Sequence, residues 1–85
     1  MTYKILIEKP AMKFIQKQPK PQQERLLQAI AALPEQGDRK PMTGHSGLFR
    51  LRVGSYRILY SVKNNILVVH VLNAGNRSDI YKSYQ

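Results

Sequence analysis

Four of the six arginines fall between residues 50 and 77. They occupy Phe49-Arg50-Leu51-Arg52-Val53, then Tyr56-Arg57-Ile58-Leu59-Tyr60, then Asn76-Arg77, with Tyr81 following. A guanidinium is a planar fork that grips two oxygens of a phosphate and stays protonated in proteins. It can therefore hold an anion and stabilise developing negative charge, but it cannot take up a proton. Arg50 and Arg52 are two apart in a stretch of β-formers, which projects both from one face of a strand. Thr or Ser would fill such positions without like-charge repulsion, so the pattern points to a polyanion such as RNA.

The charge balance agrees. The 85 residues carry a formal net charge of +9, with no cysteine and two histidines. Residues 1–39 hold seven basic and four acidic side chains; residues 40–85 hold seven basic and one acidic. The second half is the more cationic surface, as expected for a nucleic-acid or acidic-protein partner. Without cysteine there is no thiolate nucleophile or disulfide framework, and two distant histidines argue against a metal site. No small-molecule cofactor is expected. The longest uninterrupted apolar run, Ala29 to Leu33, is too short to span a bilayer. The expectation is one soluble cytoplasmic domain, residues 1–85, with no membrane partner.

These side chains need a scaffold. Tyr3–Glu8 reads as a first strand. Pro10 opens a helix with Ala11, Phe14 and Ile15 on one side. Pro19 and Pro21 separate it from a second helix, whose apolar stripe is Leu26, Leu27, Ile30, Ala31 and Leu33. Residues 34 to 47, with three Gly and two Pro, read as a loop without regular structure. Leu48–Val53, Tyr56–Lys63 and Ile66–Asn73 then read as a meander joined by Gly54-Ser55 and Asn64-Asn65. The expected fold is α+β and two-layered. An N-terminal strand and a helical hairpin pack on an antiparallel sheet in the order β-α-α-β-β-β, followed by a short C-terminal helix. Alternation turns Phe49, Leu51, Val53, Tyr56, Ile58, Tyr60 and Val62 to the core. Arg50, Arg52 and Arg57 then converge on the open face.

Arg50-Leu51-Arg52-Val53-Gly54-Ser55-Tyr56-Arg57-Ile58-Leu59-Tyr60, the Val-rich segment 66–72, Gly75-Asn76-Arg77 and Tyr81 resemble the RelE/ParE superfamily of type II toxin–antitoxin toxins. The RelE-like branch is the nearer. That resemblance implies a ribosome-dependent endoribonuclease (an mRNA interferase) in which a ribose 2′-hydroxyl attacks the adjacent phosphate. It also implies a cognate acidic antitoxin, with mRNA and ribosomal RNA as further partners. On the family pattern Arg57 and Arg77 clamp the scissile phosphate, Tyr81 orients the nucleotide, and Arg50 and Arg52 hold the backbone and stabilise charge. The catalytic candidates are thus Arg52, Arg57, Arg77 and Tyr81; the phosphate-binding ones are Arg50, Arg52 and Arg57. The best-known RelE pattern has lysines where this chain has Arg50 and Arg52, which leaves the general base open among Tyr81, Tyr56, His70 and ribosomal RNA. Two other readings remain: a ParE-like inhibitor of DNA gyrase that acts by binding, and a catalytically degenerate toxin fold. His70 reads as a core or edge histidine and His45 as a surface residue.

Overall fold

Proline punctuates the helical part of the chain. In the computed structural model, which describes residues 3–44 and 46–76, Pro10 lies in the first turn of α1 (Lys9–Gln16) and Pro21 in the first turn of α2 (Lys20–Ala31). The ring presets φ there and removes an N–H that has no intrahelical acceptor. Ala11 and Ile15 of α1 and Leu26 and Ile30 of α2 are buried at four-residue spacing, with Leu33 just beyond. The expected stripe on α2 was too wide. Leu27 and Ala31 face solvent, each one step of about 100° round the helix from its buried neighbour.

Behind the helices lies one five-stranded sheet in the order β1-β5-β4-β3-β2. The strands are β1 (Lys4–Ile7), β2 (Asp38–Pro41), β3 (Leu48–Val53), β4 (Tyr56–Lys63) and β5 (Val68–Asn76). β2, β3, β4 and β5 pair antiparallel, whereas β1 runs parallel to β5. The sheet is therefore mixed rather than wholly antiparallel, because the two helices carry the chain from β1 to the far side of the sheet before β5 returns beside it.

Two further expectations change. The segment 34–47 is not wholly irregular, since Asp38–Pro41 forms an edge strand on β3. Gly37 makes the entry possible: it has φ +109, and a Cβ there would lie 2.7 Å from Leu51 Cδ1. The last strand starts at Val68, not Ile66. Leu67 adopts φ 53, which lengthens the turn, and Ile66 stays exposed. The expected C-terminal helix lies outside the described residues.

The helix-facing side of the sheet supplies Leu51, Val53, Ile58, Tyr60, Val69, Val71 and Ala74 to a core shared with both helices. Each fully buried Ile, Leu or Val there contributes roughly 1.5–3 kcal/mol. Alternation placed Phe49, Leu51, Val53, Tyr56, Ile58, Tyr60 and Val62 on this side, and all seven lie in or against the core. Among the described residues no helix is long and apolar enough to cross a membrane.

Candidate nucleic-acid interface

Strand register builds the opposite face row by row. Asp38 lies across from Arg52, Arg52 from Arg57, and Arg57 from Gly75. The next row on that face is Lys40, Arg50, Leu59 and Asn73. Cross-strand neighbours project to the same side, about 5 Å apart. The three arginines expected together are thus brought together on two adjacent rows.

They are not equally open, and here the expectation of an open face needs correction. Arg57 is only 5% exposed. Its side chain turns back to the β3–β4 hairpin, where Nη1 donates to the carbonyls of Gly54 (3.0 Å) and Tyr56 (2.9 Å). The Arg50 side chain is 15% exposed and that of Arg52 is 52%. Beside them Leu59, fully buried, packs with Leu48, Met42 and Leu72 in a small second apolar cluster. A β-bulge between Leu59 and Tyr60 shifts the β4–β5 pairing next to this cluster. Alternation assigned Leu59 to this face but gave no sign that it would be buried there.

The arginines contact a residue that sequence reasoning passed over. Asp38 Oδ2 accepts a hydrogen bond from Arg52 Nε at 2.7 Å, and Asp38 Oδ1 lies 3.8 Å from Arg50 Nη2. Asp38 sits in a polar stretch with no apolar alternation, so nothing in the sequence marked it as part of a strand. Arg25 was also missed. A Cβ at Gly54 would stand 3.1 Å from both of its terminal guanidinium nitrogens, so α2 lays a further cation against the hairpin turn.

Two guanidinium nitrogens, Arg50 Nε and Arg57 Nε, are buried without a hydrogen-bond partner among the described residues. Burying an unpaired donor of a charged group is costly, and the cost is offset when an anion accepts from it. Arg57, Arg50 and Arg52 thus form a cationic face with unsatisfied donor capacity.

Of the side chains offered as bases, Tyr56 and His70 lie among the described residues. Tyr56 is on the helix face, where its hydroxyl donates to Gln18 Oε1 (3.2 Å) and its ring meets Phe14 edge-on. His70 lies on the interior strand β5, opposite Ser61 and Leu6, so it is on the arginine side of the sheet but not at an edge, and its Nε2 is taken by Glu8 Oε1 at 2.5 Å. Tyr60 stacks on Phe49 in the core at a 5.6 Å centroid distance. Burial pushes its hydroxyl pKa up, and the Arg39 guanidinium opposes this. A cleft of about 280 Å³ opens beside those two rings, between Pro34 and Pro41, but none of Arg50, Arg52 and Arg57 lines it. Among the described residues no group of three or more His, Asp or Glu side chains is placed to hold a metal ion. Arg77, Tyr81, His45 and Asp79 lie outside the described residues.

The family model for the ParE toxin of the type II toxin–antitoxin system parDE matches residues 5–81. The archaeal RelE–RelB complex from Pyrococcus horikoshii contains a chain with 31% identity and a TM-score of 0.76; the match covers 93% of this chain and 99% of that one. The toxin–antitoxin complex RelBE2 from Mycobacterium tuberculosis gives a TM-score of 0.76 at 22% identity, covering 91% and 100% of the two chains. Isolated E. coli RelE gives 0.67 at 21%, covering 96% and 94%. The last two likenesses show the fold alone. No match was found among curated proteins. With a family model spanning almost its whole length and a RelE fold beneath it, the chain belongs to the RelE/ParE superfamily as the toxin component of a type II toxin–antitoxin system.

Proposed function

We propose that this toxin is an endoribonuclease that cleaves mRNA on the ribosome, in the cytoplasm, by attack of a ribose 2′-hydroxyl on the adjacent phosphate. The observation that carries the reading is the pair of buried, unpartnered Nε atoms of Arg50 and Arg57 on the face that also bears Arg52. In-line attack gathers negative charge on the non-bridging oxygens of a phosphorane. Donors already fixed around that charge stabilise it without reorganisation. Arg57, anchored by two backbone carbonyls, is the most rigid of the three. Arg77 and Tyr81 complete the phosphate clamp and orient the nucleotide, as in the family pattern. The net charge of +9 steers the toxin towards ribosomal RNA and makes binding salt-dependent. RelE–RelB complexes among the similar structures support a cognate antitoxin, and the same charge favours an acidic one.

The test is primer-extension mapping of an mRNA in programmed ribosomes incubated with purified toxin. Arg57→Ala is expected to lower cleavage by about 10²–10³-fold, as loss of one oxyanion donor does, while the protein still folds. The alternative of a ParE-like gyrase inhibitor is favoured by the matching family model and by arginines that supply no base. Blocked gyrase supercoiling with intact mRNA would establish that alternative and overturn the ribonuclease reading.

A further inference from the structure

The arginine face holds cations that cannot accept a proton, yet 2′-hydroxyl attack needs a base. Register supplies a carboxylate in the middle of them. Asp38 begins β2 directly across from Arg52 and in one row with Arg57. Its two oxygens differ. Oδ2 is fixed by Arg52 Nε at 2.7 Å, whereas Oδ1 is 3.8 Å from Arg50 Nη2, beyond hydrogen-bond length. One oxygen orients the carboxylate; the other keeps its lone pairs, beside Arg50, whose Nε is buried and unpartnered among the described residues. A base held by a third group in this way is the usual arrangement for proton abstraction. Among the described residues, the other charged groups facing it are Arg50 and Arg52 of β3, Arg57 of β4 and Lys40 of its own strand. As guanidinium or ammonium, none has a lone pair to offer.

We propose that Asp38 is the general base of the toxin, a role that rests on the ribonuclease reading. Oδ1 takes the proton of the 2′-hydroxyl as the 2′-oxygen forms its bond to phosphorus. The P–O5′ bond breaks, its electron pair leaves with the 5′-oxygen, and that oxygen takes a proton from water. The products are a 2′,3′-cyclic phosphate and a 5′-hydroxyl end. Arg52 is a positioning residue for Asp38, and Arg50 and Arg57 carry the charge on the phosphorane. Replacement of the usual lysines by arginine is thereby offset by an acidic residue on the neighbouring strand.

The experiment compares wild type, Asp38→Asn and Asp38→Glu on mRNA-programmed ribosomes. It measures toxin binding, the single-turnover cleavage rate and the dependence of that rate on pH. Asp38→Asn keeps the shape and a hydrogen-bond acceptor for Arg52, so binding should stay within about threefold. Cleavage should fall by about 10²–10⁴-fold, the usual contribution of a positioned base. The wild-type rate should rise with pH along an acidic limb of unit slope, which Asp38→Asn abolishes. Asp38→Glu should restore part of the rate together with that limb. Cleavage by Asp38→Asn within threefold of wild type overturns the assignment and leaves the ribonuclease reading standing. So does a loss of binding that matches the loss of cleavage, which would make Asp38 only a clamp for Arg52. Intact mRNA with the wild-type toxin overturns the ribonuclease reading itself and this assignment with it.

Discussion

The two faces of the sheet bury comparable side chains for opposite ends. Ile58 and Leu59 are adjacent in β4, and both are fully buried. Ile58 points into a core of twelve buried residues drawn from both helices, Leu33 and strands β3, β4 and β5, with β1 packed against it. Leu59 points the other way, into a cluster whose other buried member is Leu48, beside the guanidiniums of Arg57 and Arg50. The helix face gains from every contact it makes. The arginine face holds a buried guanidinium with one unpartnered nitrogen, a feature that costs stability and is suited to an anion. One strand thus carries the fold on its even-numbered residues and the site on its odd-numbered ones.

The largest expected effect tests this asymmetry directly. Ile58→Ala should cost about 3–5 kcal/mol, and Leu59→Ala about 2–3 kcal/mol, within the range for large-to-small changes at buried sites. The smaller loss follows from the smaller cluster around Leu59. Urea titration of both variants gives the comparison. If Leu59→Ala is the more damaging, the second cluster is as important to the fold as the main core.

A smaller and opposite effect is expected at Arg57, the residue before Ile58 on the same strand. Arg57→Met keeps the stem and removes a buried charge that has no carboxylate partner among the described residues. Replacing buried charge by an apolar side chain of similar length is neutral or stabilising by about 1–4 kcal/mol. Two carbonyl hydrogen bonds are lost in exchange, which sets the expectation at about +1 kcal/mol. Growth inhibition should disappear in the same variant. Thermal denaturation and induction in a host without antitoxin measure the two effects separately. A variant that loses toxicity and also loses several kcal/mol of stability would make Arg57 part of the scaffold rather than of the site.

The sequence showed which face each side chain takes, but not how deeply it lies. In β3 and β4, Leu51, Arg52 and Val53, then Arg57 and Ile58, alternate strictly, and Gly54-Ser55 closes a two-residue hairpin. Those features are local, and each side chain of the hairpin sits on the face they assign. The depth of Arg57 depends on how its side chain curls back to Gly54, a tertiary matter that alternation does not encode. β2 was illegible for a different reason. Asp38-Arg39-Lys40-Pro41 is exposed throughout and pairs along one edge through its backbone, so it has neither apolar periodicity nor β-branched residues. The carboxylate proposed as base was hidden within it. A Gly followed by a short charged run just before an arginine-bearing strand is the one signal that could have flagged it. On α2, Leu27 and Ala31 were misassigned because a run rich in apolar residues blurs the edge of the buried stripe.

The smallest expected effect separates the faces by pH. Tyr60 lies on the helix face, and burial holds its hydroxyl above the ordinary value of 10.0, with Arg39 opposing by a lesser amount. The folded state therefore resists ionisation that the unfolded chain undergoes freely. Its contribution is intact below pH 10 and is lost as pH rises past that value towards the folded pKa. Tyr60→Phe keeps the stacking on Phe49 and cannot ionise. The stability difference between wild type and Tyr60→Phe should stay constant from about pH 7 to 9 and turn against wild type above about pH 10. Arg39→Gln should steepen that loss, because it removes the charge that eases ionisation. The arginines of the opposite face remain charged across this range and add no alkaline step of their own. Parallel loss of stability in wild type and Tyr60→Phe would show that the buried phenol does not limit the fold, and would place the alkaline limit with the lysines instead.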